Sequence, residues 1–219
     1  MHESFWLERW EQNQVGFHQE AINSHLQLFW PRLGVAVDAG VFVPLCGKSR
    51  DMLWLRSQGH PVLGIEISEK AVADFFAENG LEPEVIRGER FDRWQTDGLT
   101  VLRGDLFDLE PDDLSDCRGV YDRASLIALP VDMRRRYAEH VMRILPPDSP
   151  VLLVTLEYPQ EQMPGPPFSV GAGEIGTLFG QCYGIDEFFD LDILNENPRF
   201  EERGLSRLEE RVFRLRPKI

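Results

Sequence analysis

Apolar positions along the chain recur with two periods, and their alternation predicts the architecture. "VDAGVFVPLCG" (37–47) is a near-continuous apolar run marked by glycines, the pattern of a strand buried on both faces. "KSRDMLWLRSQ" (48–58) follows with helical spacing, and Gly59 stands just past its end. "PVLGIEI" (61–67) reads as the second strand. Ser68 then caps "EKAVADFFAEN", whose Val72, Phe75 and Phe76 keep helical spacing until Gly80. "LTVLRGDLFDL" (99–109) and "GVYDRASLIAL" (119–129) predict a third and a fourth strand. Asp132 is expected to cap the helix "MRRRYAEHVMRIL", which Pro146-Pro147 ends, and "VLLVTLEY" (151–158) reads as a fully buried fifth strand. "FFDLDIL" (188–194) and "EERVFRLR" (209–216) predict a terminal antiparallel pair. Strands alternating with helices imply an α/β fold, a mostly parallel, doubly wound sheet with helices on both faces. Ligands of such sheets lie at the carboxyl ends of the strands.

Two segments stand outside that alternation. In the first thirty residues, expected to be helical, Trp6 and Trp10 lie four apart and share a helix face, and "INSHLQLFW" (22–30) is a second apolar segment stopped by Pro31. "PQEQMPGPPFSVGAG" (159–173) holds four prolines and three glycines after the fifth strand, where it is expected to hang over the site as a lid.

Composition narrows the partners. A length of 219 residues suits one domain, and a net charge of −14 argues against nucleic acid, whose binders carry a basic stripe. The densest basic run, Arg134-Arg135-Arg136, reads as a solvated helix face. Cys46, Cys117 and Cys182 show no C-x-x-C spacing and the five histidines are dispersed, so no metal site is expected and a reducing compartment is. The polar start and the lack of any bilayer-length apolar run point to no membrane association and a cytoplasmic location. Nothing in the sequence suggests an obligate dimer, and a monomer is expected.

"VFVPLCGKS" (41–49) raises the chemical question. A triphosphate loop needs G-x-x-x-x-G-K-[ST], but its first glycine would fall at position 42, which is Phe42. The fingerprint G-x-G-x-x-G is absent too. Glu66, however, ends the second strand 19 positions after Gly47, close to the roughly 20-residue spacing of a ribose-binding acid. A nucleoside site without a pyrophosphate cradle suits S-adenosylmethionine. Asp105 and Leu106, after the third strand, are placed to meet its adenine. Cys46, with no base beside it, reads as a core residue.

Several stretches in order along the chain carry a family likeness: "WLERWEQNQVGFHQE", "VFVPLCGKSRDMLWL", "GHPVLGIEIS", "YDRASLIALP", "PGPPFSV" and "FEERGLSRLEERVF". The sequence resembles the thiopurine S-methyltransferases, particularly their bacterial members. The resemblance implies a class I S-adenosylmethionine-dependent methyltransferase fold, Rossmann-like, with a seven-stranded sheet and an antiparallel C-terminal strand. It implies methyl transfer from S-adenosylmethionine, with no metal, to the sulfur of aromatic and heterocyclic thiols; bacterial relatives are also associated with selenium and tellurium compounds. It divides the chain into an N-terminal helical cofactor cover (1–33), a cofactor-binding core (34–158), a substrate lid (159–173) and a C-terminal helix with antiparallel strands (174–219). Carried over by position, cofactor contacts are Trp10, Leu45, Glu66 and Arg123, with Leu106 near the adenine, while Phe17, Arg123 and Arg203 face the acceptor.

The residue chemistry agrees with these roles. Aromatic faces such as Trp6, Trp10 and Phe17 suit a sulfonium cation, at about 0.5–2 kcal/mol each. Heterocyclic thiols ionise readily, so no general base is assigned, and Arg123 and Arg203 are read as groups that orient an anionic acceptor. The [DN]-P-P-[YF] tetrapeptide of amino-directed DNA methyltransferases is replaced by "YDRASL", and no Pro-Cys nucleophile occurs. A non-catalytic S-adenosylmethionine-binding module would share the same pattern.

Overall fold

In the computed structural model, which describes residues 3–14 and 18–218, the apolar runs become adjacent parallel strands. Strand β1 (Gly40–Val43) leads through α3 (Asp51–Ser57) to β2 (Val62–Glu66), and α4 (Glu69–Glu78) leads on toward β5 (Leu99–Arg103). The chain then returns to the other side of β1 with β6 (Cys117–Arg123), and α5 (Val131–Ile144) carries it to β7 (Val151–Glu157). These five strands run parallel in the order β5-β2-β1-β6-β7. After α6 (Ala172–Phe179), β8 (Tyr183–Asp192) forms the far edge; past α7 (Pro198–Glu201), β9 (Glu209–Pro217) inserts antiparallel between β7 and β8. Two further helices, α1 (Glu3–Glu11) and α2 (Ser24–Phe29), precede the sheet.

The period-2 alternation of each strand separates two cores. Phe42, Ile65, Val120 and Leu153 meet Tyr137 and Val141 of α5 and Ile175 of α6 on one face. Val41, Val43, Tyr121 and Leu152 meet Leu26 of α2, Leu55 of α3 and Phe75 of α4 on the other. Each fully buried side chain of this size contributes roughly 1.5–3 kcal/mol, so both faces hold the sheet. Strand order reverses between β1 and β6, the switch point at which such sheets open a crevice.

The sheet has nine strands, where seven were expected. The seven are present in the expected topology, and the addition is an antiparallel hairpin, β3 (Glu84–Ile86) and β4 (Asp92–Thr96), beside β5. Its strands carry charges on their exposed faces, which hid the alternation; Trp94 alone stacks inward, 6.1 Å from Phe76. Two expected strands stop early. At Asp105 the carboxylate accepts the Phe107 N–H (2.9 Å) and starts a 3-10 turn, and after Arg123 the chain turns at Ala124, φ +68°. Asp132 is not the cap of α5: the helix begins after Pro130, leaving Asp132 inside its first turn, where its charge suits the dipole. Nor is the basic run all solvated. Arg134 is buried, its guanidinium gripping Glu174 of α6 (2.7 and 3.1 Å) and the Leu129 carbonyl (3.0 Å).

Candidate active site

The loop leaving β1 is built around two left-handed residues, Leu45 at φ +44° and Gly47 at φ +51°. Glycine suits the second, because a Cβ there would crowd Trp10 Cζ2 of α1 at 3.0 Å as well as straining the backbone. Leu45 and Ala124 tolerate positive φ without being glycine, and both line the cavity, a place where strained backbone clusters.

Glu66 faces this loop. Its Oε2 accepts the Gly47 N–H (3.0 Å) and its Oε1 the Ser68 N–H (2.9 Å), the 19-residue spacing now realised as a contact. Burial pushes its carboxyl up to about 6, against those N–H bonds, which pull it down. Glu66 lines the cavity, and a carboxylate has acceptor capacity beyond these N–H bonds. Lys48 turns away to pair with Glu78 (2.7 Å) and Phe42 is fully buried, so no triphosphate cradle forms. Burial drives the Cys46 thiol well above its ordinary value, consistent with a core residue.

Across the switch point stands Arg123. Its Nη1 lies 3.7 Å from Asp51, a buried carboxylate that also accepts the Asn23 backbone N–H (2.8 Å) and the Tyr121 hydroxyl (3.0 Å). Asn23 in turn caps α2 by accepting the His25 and Leu26 N–H groups, so one acid links helix, strand and arginine. The far wall carries Arg203, Phe200 and Glu210, and Pro166 and Pro167 reach the cavity from the proline-rich segment. That segment is held by the Phe168 N–H on Ile127 (2.6 Å) and the Tyr158 hydroxyl on Pro167 (2.6 Å). The cavity volume is about 380 Å³, within the range of small-molecule sites.

Trp10, Leu45, Glu66, Arg123 and Arg203 therefore line one cavity, joined by Trp6. Leu106 does not line the cavity. Its side chain is buried in the core and its carbonyl lies 3.0 Å from His140 Nε2, because Asp105 caps the turn beneath it. Phe17 lies outside the described residues. Sequence reasoning missed Arg9 and Glu210, both in the wall. Arg9 adjoins Trp10 in sequence, a usable signal; Glu210 sits in a charged strand segment that reads as solvent-facing. Among the described residues no group of three or more His, Cys, Asp or Glu can hold a metal, and no helix is long and apolar enough to cross a membrane.

The family described as "Thiopurine S-methyltransferase" matches residues 1–218. The chain belongs to the thiopurine S-methyltransferase family. A thiopurine S-methyltransferase of Nitrosospira multiformis is 52% identical over 98% of both chains, and one of Pseudomonas fluorescens is 49% identical over 99% of both. Solved structures share the fold at low identity. They include a 1,6-didemethyltoxoflavin-N1-methyltransferase from Burkholderia thailandensis with S-adenosylhomocysteine bound (15% identity, TM-score 0.67, 99% of this chain and 87% of that one). A methyltransferase from Geobacter sulfurreducens in complex with S-adenosylhomocysteine gives 16% identity and a TM-score of 0.65 over 97% and 98%.

Proposed function

We propose that this enzyme transfers the methyl group of S-adenosylmethionine to the sulfur of aromatic and heterocyclic thiols, thiopurines among them. The observation that carries this reading is the buried Glu66 carboxylate poised over the Gly47 bend, with Trp10 above it and Arg123 across the same cavity. Full-length similarity to thiopurine S-methyltransferases supports it.

The residues suit the donor. Glu66 offers two acceptor oxygens to ribose hydroxyls, the Leu45–Gly47 bend leaves room for an amino-acid tail, and Trp6 and Trp10 bring aromatic surface for a sulfonium. Bound there, S-adenosylmethionine supplies an already activated methyl group. The remaining work falls to the chain. Arg123 and Arg203 attract and orient an anionic sulfur, and alignment within the cavity supplies several kcal/mol, up to roughly 7–11 in ideal cases. Residues 1–33 act as the cover and 159–173 as the lid that keep water out. A monomer in the cytoplasm completes the reading, and the free Cys46, Cys117 and Cys182 suit a reducing compartment.

Calorimetry and a labelled-methyl assay test this. Binding of S-adenosylhomocysteine without binding of ATP or NAD, and label appearing on 6-mercaptopurine, are the expected results. Absence of S-adenosylhomocysteine binding, or of label in any thiol, overturns the reading.

A further inference from the structure

The arginines that favour a thiolate cannot generate one, because guanidinium groups have no acceptor for a proton. An ordinary thiol, with pKa about 8.5, arrives mostly protonated at neutral pH. Resting on the thiol-transfer reading above, we propose that Glu210, backed by His25, takes the proton from acceptors that enter the cavity un-ionised.

Two carboxylates line the cavity among the described residues, Glu66 and Glu210. Glu66 serves the loop after β1, with both oxygens on backbone N–H groups. Glu210 stands at the other end. It pairs across the sheet with Leu156, so both side chains lie on the same face, beside Arg203 and Phe200 in the cavity wall. Its Oε2 lies 2.8 Å from His25 Nε2, and no other hydrogen bond to its carboxylate is formed among the described residues. The imidazole is held by Phe29 and Phe189, with ring centroids 6.0 and 4.5 Å away, and is nearly buried. A neutral His25 donates Nε2–H to Glu210 and leaves Oε1 as the acceptor.

Charged groups also stand around the pair. Arg9 of α1, Arg123 of β6 and Arg199 and Arg203 at α7 line the same cavity. Beneath it, the Tyr121 phenol is bound to Asp51, and both carboxylates, Asp51 and Glu210, help push that phenol up after burial has done most of it. Along β9, Glu209 and Arg211 pair with each other and with Arg207, Glu157 and Glu187. In the step, the acceptor S–H bond breaks and its proton passes to Glu210, while that sulfur's electron pair forms the bond to the methyl carbon. The bond from that carbon to the donor sulfonium breaks, its pair staying on the leaving sulfur, and Glu210 later gives up the proton to solvent.

Two acceptors separate this role from a structural one: para-nitrothiophenol, a thiolate at neutral pH, and benzyl mercaptan, which stays protonated. In Glu210→Gln, kcat should fall about tenfold or more for benzyl mercaptan and stay within about twofold for the nitro compound, the scale of general-base help. His25→Leu should give the same pattern, smaller. Binding beside S-adenosylhomocysteine gives a second readout: Glu210→Gln should weaken benzyl mercaptan and leave the nitrothiolate unchanged or tighter. Wild-type kcat for benzyl mercaptan should rise much less than tenfold per pH unit below the thiol pKa, a measurement needing no variant. Equal losses for both thiols, no loss, or a full tenfold rise per pH unit in the wild type overturns the assignment. Wild-type protein that methylates neither thiol instead overturns the thiol-transfer reading, and this inference with it.

Discussion

A carboxylate buried at the rim of a sheet serves its ligand only while ionised, and Glu66 is held close to that limit. With its carboxyl raised to about 6, the folded protein binds this proton more tightly than the unfolded chain does. Its contribution to ligand-free stability is therefore complete below about 4.5 and lost as pH rises through about 6, a change of about 2 kcal/mol. In the proposed ribose-binding role of Glu66, cofactor binding runs the other way, since ribose hydroxyls need the acceptor form. S-adenosylhomocysteine affinity should weaken as pH falls below about 6, and Glu66→Gln should flatten that dependence, as calorimetry across pH can check. Glu66→Ala should cost about 1–3 kcal/mol of binding at neutral pH through lost hydrogen bonds; unchanged affinity in a folded variant would remove Glu66 from the site. Arg123 makes the complementary case. Arg123→Ala should retain S-adenosylhomocysteine affinity to within about tenfold while turnover at saturating donor drops by about 100-fold, the scale of one lost electrostatic contact. Full activity would show that its bond to Asp51 is purely structural.

At the scale of elements, what was legible followed burial. The strand "VLLVTLEY" is buried on both faces, and its apolar run sufficed to place β7 to within a residue. The cap Ser68 was equally legible, since its side chain accepts the Ala71 N–H as the spacing implies. The hairpin β3–β4 was not, because its half-exposed strands owe their pairing to β5 rather than to their own pattern. The same distinction governs α1. It buries only Trp10 among its residues, so it adds little to the fold and much to the cavity roof. Removing residues 1–14 should lower Tm by only a few degrees, as expected for a loss of about 1–2 kcal/mol. It should weaken S-adenosylhomocysteine by about tenfold or more, since Trp10 packs on Gly47 beside the Glu66 oxygens. Thermal melts paired with calorimetry decide it: a collapse of Tm would make α1 part of the core instead.

For the whole molecule, the sequence carried the topology and one end of the site, because Gly47 and Glu66 are joined by a fixed interval along consecutive elements. It carried less of the other end of the cavity, because Glu210 joins that lining only through the insertion of β9 beside β7, a pairing that no local spacing records. That assembly sets two opposing fields. The surface as a whole bears −14, while four arginines, Arg9, Arg123, Arg199 and Arg203, converge on the cavity. At about 0.01 M salt the Debye length is about 30 Å, so an approaching thiolate feels the molecule's net negative charge; at 0.15 M it is about 8 Å and mainly the nearby arginines remain. For para-nitrothiophenolate, kcat/KM should therefore rise about two- to fivefold between these salt concentrations, the modest end of electrostatic effects on encounter. Benzyl mercaptan, uncharged, should show no comparable change, which separates encounter from any effect of salt on the fold. A fall for the anion would mean that the arginine field reaches past the cavity mouth and steers the acceptor from solution.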